Sequence, residues 1–468
     1  MLDIDDTIDA FRRGALDFDC KRMVLAQRKK DGERFEGQGY VRQSADGTLV
    51  CKIYVAQHNA KPFGHFAAMF ATKSGEIISD DLFYDLDATG HDGTRWTSKR
   101  IRLAPHWDAT DLSVLVNAQM QSITAHLDMP QRLNFLRLHF FDEYVVPLHR
   151  MSETEKHGNR WMVRDLAEFE ACGSKFEVRK RDGSGDTTIE VTSESPFPAQ
   201  FNLRIQEALQ YITAKTAIYR ARLESAGSEL HLELASSLRK APRTQFNPPI
   251  APISIDFHQH GWRLFGKYLE YVIASAKGTY WNPVAYHLYN ACEATAGSLD
   301  AWAVGVSVAV EALTSLISVE GDKEKAERVG VLQDRMREWF SEQADLQDFA
   351  NRINGQIDAM GNKRPHDTLH VLAETGHVTK EYIKAWNRLR QRHVHPTIRD
   401  LKKPDQVDYQ ELFDLIHRTE VLLRQLTFYL IGYEGPFTDY GVHADQGPPS
   451  AQYPLRVADS SADLADVP

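Results

Sequence analysis

A chain of 468 residues is longer than one compact core supports, so two or three domains are expected. Its 42% hydrophobic and 26% charged content is ordinary for a globular protein, and no apolar run is read as reaching the roughly 18–20 residues that span a bilayer. The formal net charge of -10 argues against a surface that coats nucleic acid throughout, and the acidic start MLDIDDTIDAF carries no secretory pattern.

Residues 1–20 read as a short amphipathic helix with Ile8, Phe11 and Leu16 as its apolar positions. GYVRQSADGTLVCKIYVAQ then alternates on both sides of Ala45-Asp46-Gly47-Thr48, which predicts a hairpin. LFYDLDA, KRIRLAP, LSVLVNAQM and LNFLRLHFF are further strand-like runs, and KFEVRKRDGSGDTTIEVTSE is a second hairpin turning at Asp182-Gly183-Ser184-Gly185. NLRIQEALQYITAK is helical, with Ile205, Ala208, Leu209 and Ile212 on one side, and AIYRARLES and SELHLELAS return to strand alternation. Residues 1–236 are therefore expected to be a β-rich, sandwich-like domain. The stretch 237–254, with Pro242, Pro248, Pro249 and Pro252 and no period, reads as a linker.

From 255 to 435 the apolar residues recur every three and four positions, which predicts an all-α bundle and an α+β chain overall. LDAWAVGVSVAVEALTSLI is apolar on nearly every face and is expected to be the buried central helix, with Glu311 as its interior charge. Residues 436–468 are poor in apolar side chains and end acidic, so a mostly disordered tail is expected. Cys20, Cys51, Cys172 and Cys292 are scattered without a CxxC pair, as in a cytoplasmic protein with reduced thiols.

The densest chemistry lies in YIKAWNRLRQRHVHP, from Tyr382 to Pro396. Arg390 and His395 form an Arg-x4-His unit; on an unbroken helix they lie about 140° apart. Pro396 forces the residue before it out of the α region, so the helix should end near Val394 or His395 and let the His395 ring swing toward Arg390. The pair suits phosphodiester cleavage without a metal or other cofactor. Histidine exchanges protons near neutral pH, and the arginine fork matches phosphate oxygens. On RNA, a histidine can take the 2′-hydroxyl proton while arginine stabilises the charge that develops on phosphorus. Spacing alone also suits a basic helix end that complements the helix dipole.

WNRLRQRHVHP resembles the HEPN signature, a helix ending in Leu-Arg-Asn, three residues and His, onto which Leu389, Arg390 and His395 fall. Gln391 stands where Asn is usual and Pro396 where Gly is common. VAVEALTSLI is similar to the HEPN helix carrying an acidic residue ahead of the motif, at Glu311. LLRQLTFYLIGYEGPFTDYG is similar to the closing helix and tail of ApeA-type HEPN proteins. DLFYDLDATGHDGTRWTSKRI is a looser likeness to the amino-terminal part of the same group. The resemblance implies a metal-independent endoribonuclease of anti-phage defence. Its RNA substrate is of unspecified class. The resemblance also implies a homodimer or higher oligomer that sets two motifs face to face, with a phage-derived trigger acting on the β-rich domain. A cytoplasmic, non-membrane location is the expectation from the lack of a signal pattern and of a spanning run.

Within the stretch, Arg388 and His393 repeat the Arg-x4-His spacing, and Arg388, Arg392 and His393 are candidate RNA-backbone contacts or solvated surface. Gln391 and Glu311 are supporting candidates. Glu311 is read either as the ion-pair partner of Arg390 or as a carboxylate satisfied by a neighbouring hydroxyl or backbone group. His366 and His370 have a metal-compatible i,i+4 spacing without evident further ligands, and His258 and His260 flank a helix start. Trp262, Phe265, Tyr268 and Tyr271 recur at helical spacing and read as core. Two other classes remain open. One is a non-catalytic HEPN scaffold that binds nucleic acid or a partner protein; the other is a ligand-binding sandwich with a helical oligomerisation module.

Overall fold

A computed structural model describes residues 2–60, 75–108, 113–128, 134–156, 159–181, 185–236, 244–275, 281–319, 322–343, 346–361, 364–394, 408–443 and 447–455. The chain divides into two compact units, Met1–Gln206 with Ala217–Ala241, and Glu207–Thr216 with Pro242–Pro468.

In the first unit, α1 (Ile4–Arg12) is capped by Asp3, whose carboxylate accepts from the Asp6 N–H at 3.0 Å, and it buries Ile8 and Phe11. It is shorter than the helix expected over 1–20, because Gly14 takes φ +72° and Asp17 already begins a strand. Among the described residues fourteen strands follow, joined into one hydrogen-bonded sheet in the order β4-β1-β2-β3-β6-β5-β7-β14-β13-β8-β12-β11-β10-β9. They are β1 (Asp17–Gln27), β2 (Arg34–Gln43), β3 (Leu49–His58), β4 (Tyr84–Gly90), β5 (Arg95–Trp107), β6 (Val114–Met120) and β7 (Ser122–Asp128). Next come β8 (Asn134–Phe140), β9 (Arg150–Lys156), β10 (Asn159–Ala171), β11 (Ser174–Lys180), β12 (Thr187–Ser193), β13 (Ala221–Ala226) and β14 (Glu229–Ala235).

β4 also pairs with β5, so the first six strands close on themselves as a barrel. This differs from the two packed sheets expected of a sandwich. The cause is a bulge in β5. Leu86 faces Ser98 but Tyr84 faces Ile101, and between them Arg100 is held at φ +56° with its guanidinium 4.9 Å from the Phe83 ring centre. Residues before the bulge pair with β4 and β7; after it, Ile101 still faces β4 and the residues from Arg102 onward pair with β6. Met23, Leu25, Val41, Ile53, Leu86, Trp96 and Val116 fill the core.

The two predicted hairpins are present as β2–β3 and β11–β12, and the strand-like runs AIYRARLES and SELHLELAS form a third, β13–β14. In the first, Asp46 accepts from Ser44 at 2.7 Å and from the Thr48 N–H at 3.0 Å, and Gly47 takes φ +83°. Residues 182–184 of the second turn lie outside the described residues. The helix predicted over 202–215 is α2 (Phe201–Thr213), whose residues from Glu207 onward group with the second unit.

The second unit holds α3 (Ile255–Ser275), α4 (Pro283–Ala294), α5 (Leu299–Leu316), α6 (Asp322–Ser341) and α7 (Gln347–Gly361). It continues with α8 (Pro365–Glu374), α9 (Lys380–His393) and α10 (Tyr409–Ile431). α5 packs against α4, α9 and α10. By length and composition α5 is long and apolar enough to cross a membrane, so the reading of no such run is corrected. Here Trp302, Val306, Val310 and Leu313 are buried within the bundle. α10 is more enclosed than α5: α5 leaves Val308 43% exposed, whereas every residue of α10 from Thr419 to Phe428 is buried.

The segments expected as linker and disordered tail are structured where they are described. Gly435–Thr438 (β15) pairs with Ser450–Tyr453 (β16), and the Phe428 ring meets Tyr433, Phe437 and Tyr453 at 5.1, 5.7 and 5.3 Å. The Thr438 N–H donates to the Pro249 carbonyl at 2.9 Å, and the Ala251 N–H to the Thr438 hydroxyl at 2.8 Å. Burial of aromatic anchors orders these segments despite their glycine and proline content.

Candidate functional site

Helix α9 places Tyr382, Ile383, Ala385, Trp386 and Leu389 on its buried side, an i, i+1, i+3, i+4, i+7 stripe that turns Lys384 and Arg388 outward. Its last helical residue is His393, and the Val394 N–H closes the final turn on the Arg390 carbonyl at 2.9 Å. Arg390, Arg392 and His393 thus occupy the turn where the helix dipole is negative.

Arg390 meets Glu311 of α5 with two contacts, Nε to Oε2 at 3.1 Å and Nη2 to Oε1 at 3.3 Å. Of the two readings of Glu311, the structure has the ion pair. It is not a deeply buried one, since the side chains are 30% and 39% exposed. The Arg390 guanidinium also lies 5.8 Å from the Trp386 ring centre, and that indole donates to the Ser307 carbonyl of α5 at 3.1 Å. A two-pronged pair over an aromatic face fixes the plane of the guanidinium; Nη1 makes no such bond to a described residue.

The neighbouring candidates are distributed differently from expectation. His393 is largely enclosed: its side chain is 9% exposed, Nδ1 lies 3.1 Å from Asp300 Oδ1, and Nε2 is buried with no hydrogen-bond partner among the described residues. Burial lowers its pKa below the ordinary histidine value, more than Asp300 raises it, which favours the neutral ring at pH 7. Arg388 is exposed and paired with Glu411 in the first turn of α10. Arg392 is half-buried and Gln391 exposed. His395 and Pro396, the other half of the motif, lie outside the described residues.

Polar groups that periodicity did not single out sit deeper in the bundle. Glu420 of α10, 1% exposed, accepts from the Trp302 indole at 2.8 Å and from the Asn247 amide at 2.9 Å. Burial pushes its carboxyl up to about 7, against the opposing pull of Arg424. Arg424, one turn on, is equally buried; none of its guanidinium nitrogens has a hydrogen-bond partner among the described residues. The guanidinium lies 4.8 Å from the Phe246 ring centre, beside a cavity of about 30 Å3 that Tyr211, Tyr268 and Cys292 help to line.

Trp262, Phe265 and Tyr268 are core, as their spacing suggested, and Tyr268 stacks on Tyr211 at 4.4 Å. His366 and His370 touch each other, Nε2 to Nε2 at 3.2 Å, and are exposed. His258 and His260 lie in the first two turns of α3. Burial raises the Cys20 and Cys51 thiols to about 12 and Cys292 to about 11, so none of the three is a thiolate nucleophile at neutral pH. The chain matches no protein-family model, no curated protein and no solved structure.

Proposed function

We propose that this chain is a metal-independent endoribonuclease of the HEPN type, acting in anti-phage defence through Arg390 and His395. The observation that carries the reading is the position of Arg390. The arginine matching the HEPN pattern stands in the last turn of α9, its guanidinium plane set by Glu311 and Trp386. So fixed, it presents a charged fork to a phosphate without first being ordered, which is how a preorganised cation stabilises a developing oxyanion. His395 supplies the proton transfer. Because cleavage takes both a base and an acid, two copies of the motif facing each other in a homodimer complete the site. The β-rich unit holds the nuclease at a low basal rate, which a phage-derived trigger raises.

The test is cleavage of a mixed cellular RNA by the full chain in excess EDTA, with wild type, Arg390→Ala and His395→Ala. Wild type should cut, with 2′,3′-cyclic phosphate ends, and each variant should lose at least 100-fold in rate. Equal rates for all three would overturn the assignment.

A second reading, a non-catalytic scaffold that binds nucleic acid or a partner protein, is favoured by one feature. Glu311 already neutralises Arg390 and competes with any phosphate for it. That reading predicts RNA retention without cleavage products, weakened by Arg390→Ala and indifferent to His395→Ala.

A further inference from the structure

We infer that His126, His231 and Glu229, in the β-rich unit, form a binding site for a divalent metal ion of the zinc class. The placement follows from strand register. β14 pairs antiparallel with β7 so that His231 stands directly opposite His126. Side chains alternate along a strand, so Glu229 shares the face of His231. The opposite face buries Ile123 and Ala125 of β7 and Leu230, Leu232 and Leu234 of β14. The two imidazoles and the carboxylate are therefore held by a sheet with a packed reverse side.

The donors converge. Glu229 Oε2 lies 2.8 Å from His231 Nε2 and 3.6 Å from His126 Nδ1, and one ligand atom from each residue lies within 4.8 Å of the others. Bonds of about 2.0–2.1 Å around a tetrahedral zinc place neighbouring donors about 3.3 Å apart. The observed separations bracket that value, so small side-chain rotations suffice. The ring centres are 4.7 Å apart and near perpendicular, which lets each nitrogen point at a shared centre rather than stack.

His126 also has an outer partner. Its Nε2 lies 2.8 Å from the Thr97 hydroxyl of β5. With that hydroxyl accepting the Nε2 proton, the Nδ1 lone pair faces Glu229, the arrangement by which metal-bound histidines are oriented through their second nitrogen. Without an ion, two histidines set this close repel whenever both are protonated, and a bound cation requires both to be neutral.

Two imidazoles and one carboxylate select zinc, cobalt or nickel over magnesium or calcium, which take all-oxygen sets. Three protein ligands leave the fourth position open. His126 and Thr97 lie at the edge of a cavity of about 510 Å3 that also holds Arg22, Arg95 and Asp87, so water or an anionic group has room there.

The test uses the full chain, stripped with a chelator and titrated with cobalt(II). Tetrahedral cobalt gives absorption bands between about 500 and 700 nm, expected to saturate at one equivalent and to vanish on adding zinc. His126→Ala and Glu229→Gln should each weaken binding at least 100-fold, and Thr97→Val about 10-fold to 100-fold through the outer contact. Glu229 is exposed, so its variant keeps the fold, to be checked by circular dichroism. His370→Ala should leave the titration unchanged. The inference is overturned if the bands are absent, if they survive His126→Ala and Glu229→Gln, or if they are lost instead in His370→Ala. RNA cleavage in EDTA is a separate readout, so either proposal can fail while the other stands.

Discussion

Replacing Glu420 by glutamine should flatten the pH dependence of the helical unit's stability. Glu420 is enclosed by α5 and α10 and the Asn247 segment, and its carboxyl titrates near 7 instead of the ordinary 4.5. A native state that holds the proton more tightly than the unfolded chain gains stability from it. That gain is fully present below about pH 4.5 and is lost as pH rises through about 7. At about 1.4 kcal/mol per pH unit, the interval between the two values corresponds to about 3 kcal/mol. Glutamine removes the titration but keeps an oxygen for Trp302, and a turned Asn247 amide offers its own oxygen to the new NH2 group. Urea unfolding followed by helical ellipticity, run on wild type and Glu420→Gln from pH 5 to pH 8.5, isolates the effect. Wild type should lose about 2–3 kcal/mol more than the variant across that range. Parallel profiles would refute a buried, proton-holding Glu420.

The Arg390–Glu311 pair is half exposed, so a double-mutant cycle with Arg390→Met and Glu311→Gln should return a coupling of only about 0.5–1 kcal/mol in thermal unfolding. A value of several kcal/mol would place the pair in a drier setting than the one described. In the barrel, a Cβ on Gly39 would stand 1.9 Å from the Lys52 carbonyl oxygen of the paired strand, and neither backbone can yield. Gly39→Ala should therefore cost about 3 kcal/mol or more in chemical unfolding of the β-rich unit. Gly173→Ala, with open space but φ +71°, should cost about 1 kcal/mol in the same assay.

Local patterns in the sequence reached as far as local physics does. The Asp46-Gly47 turn announces its own hairpin because Asp46 caps it and Gly47 supplies the positive φ. The end of α9 is likewise legible, since the buried stripe from Tyr382 to Leu389 runs at helical spacing up to the proline. The partner of Arg390 was only half legible: Glu311 stood out as a charge in an apolar helix, but its exposure depends on packing. Barrel closure was illegible because it turns on one bulge at Arg100 and on pairings between distant strands. α10 was under-read because Glu420, Arg424 and Gln425 look like surface, although Gln425 is held in the core by Thr379 at 3.0 Å. The His126–Glu229–His231 group has no spacing to find, since register alone joins residues about a hundred positions apart.

The closure of β4 onto β5 has a further consequence for how this chain survives in a crowded solution. An open sheet offers two rows of unpaired peptide groups to any passing strand, and each is a template for misassembly. Here the end of the strand order that begins at β4 is used up internally, and of the described strands β9 alone borders the sheet on one side. Its sequence, RMSETEK, carries four charged side chains against one apolar one, Met151, and Arg150 and Glu153 are ion-paired to Glu168 and Arg160. A single border so dressed is a poor template, so a large sheet can stay monomolecular at the cost of guarding one strand.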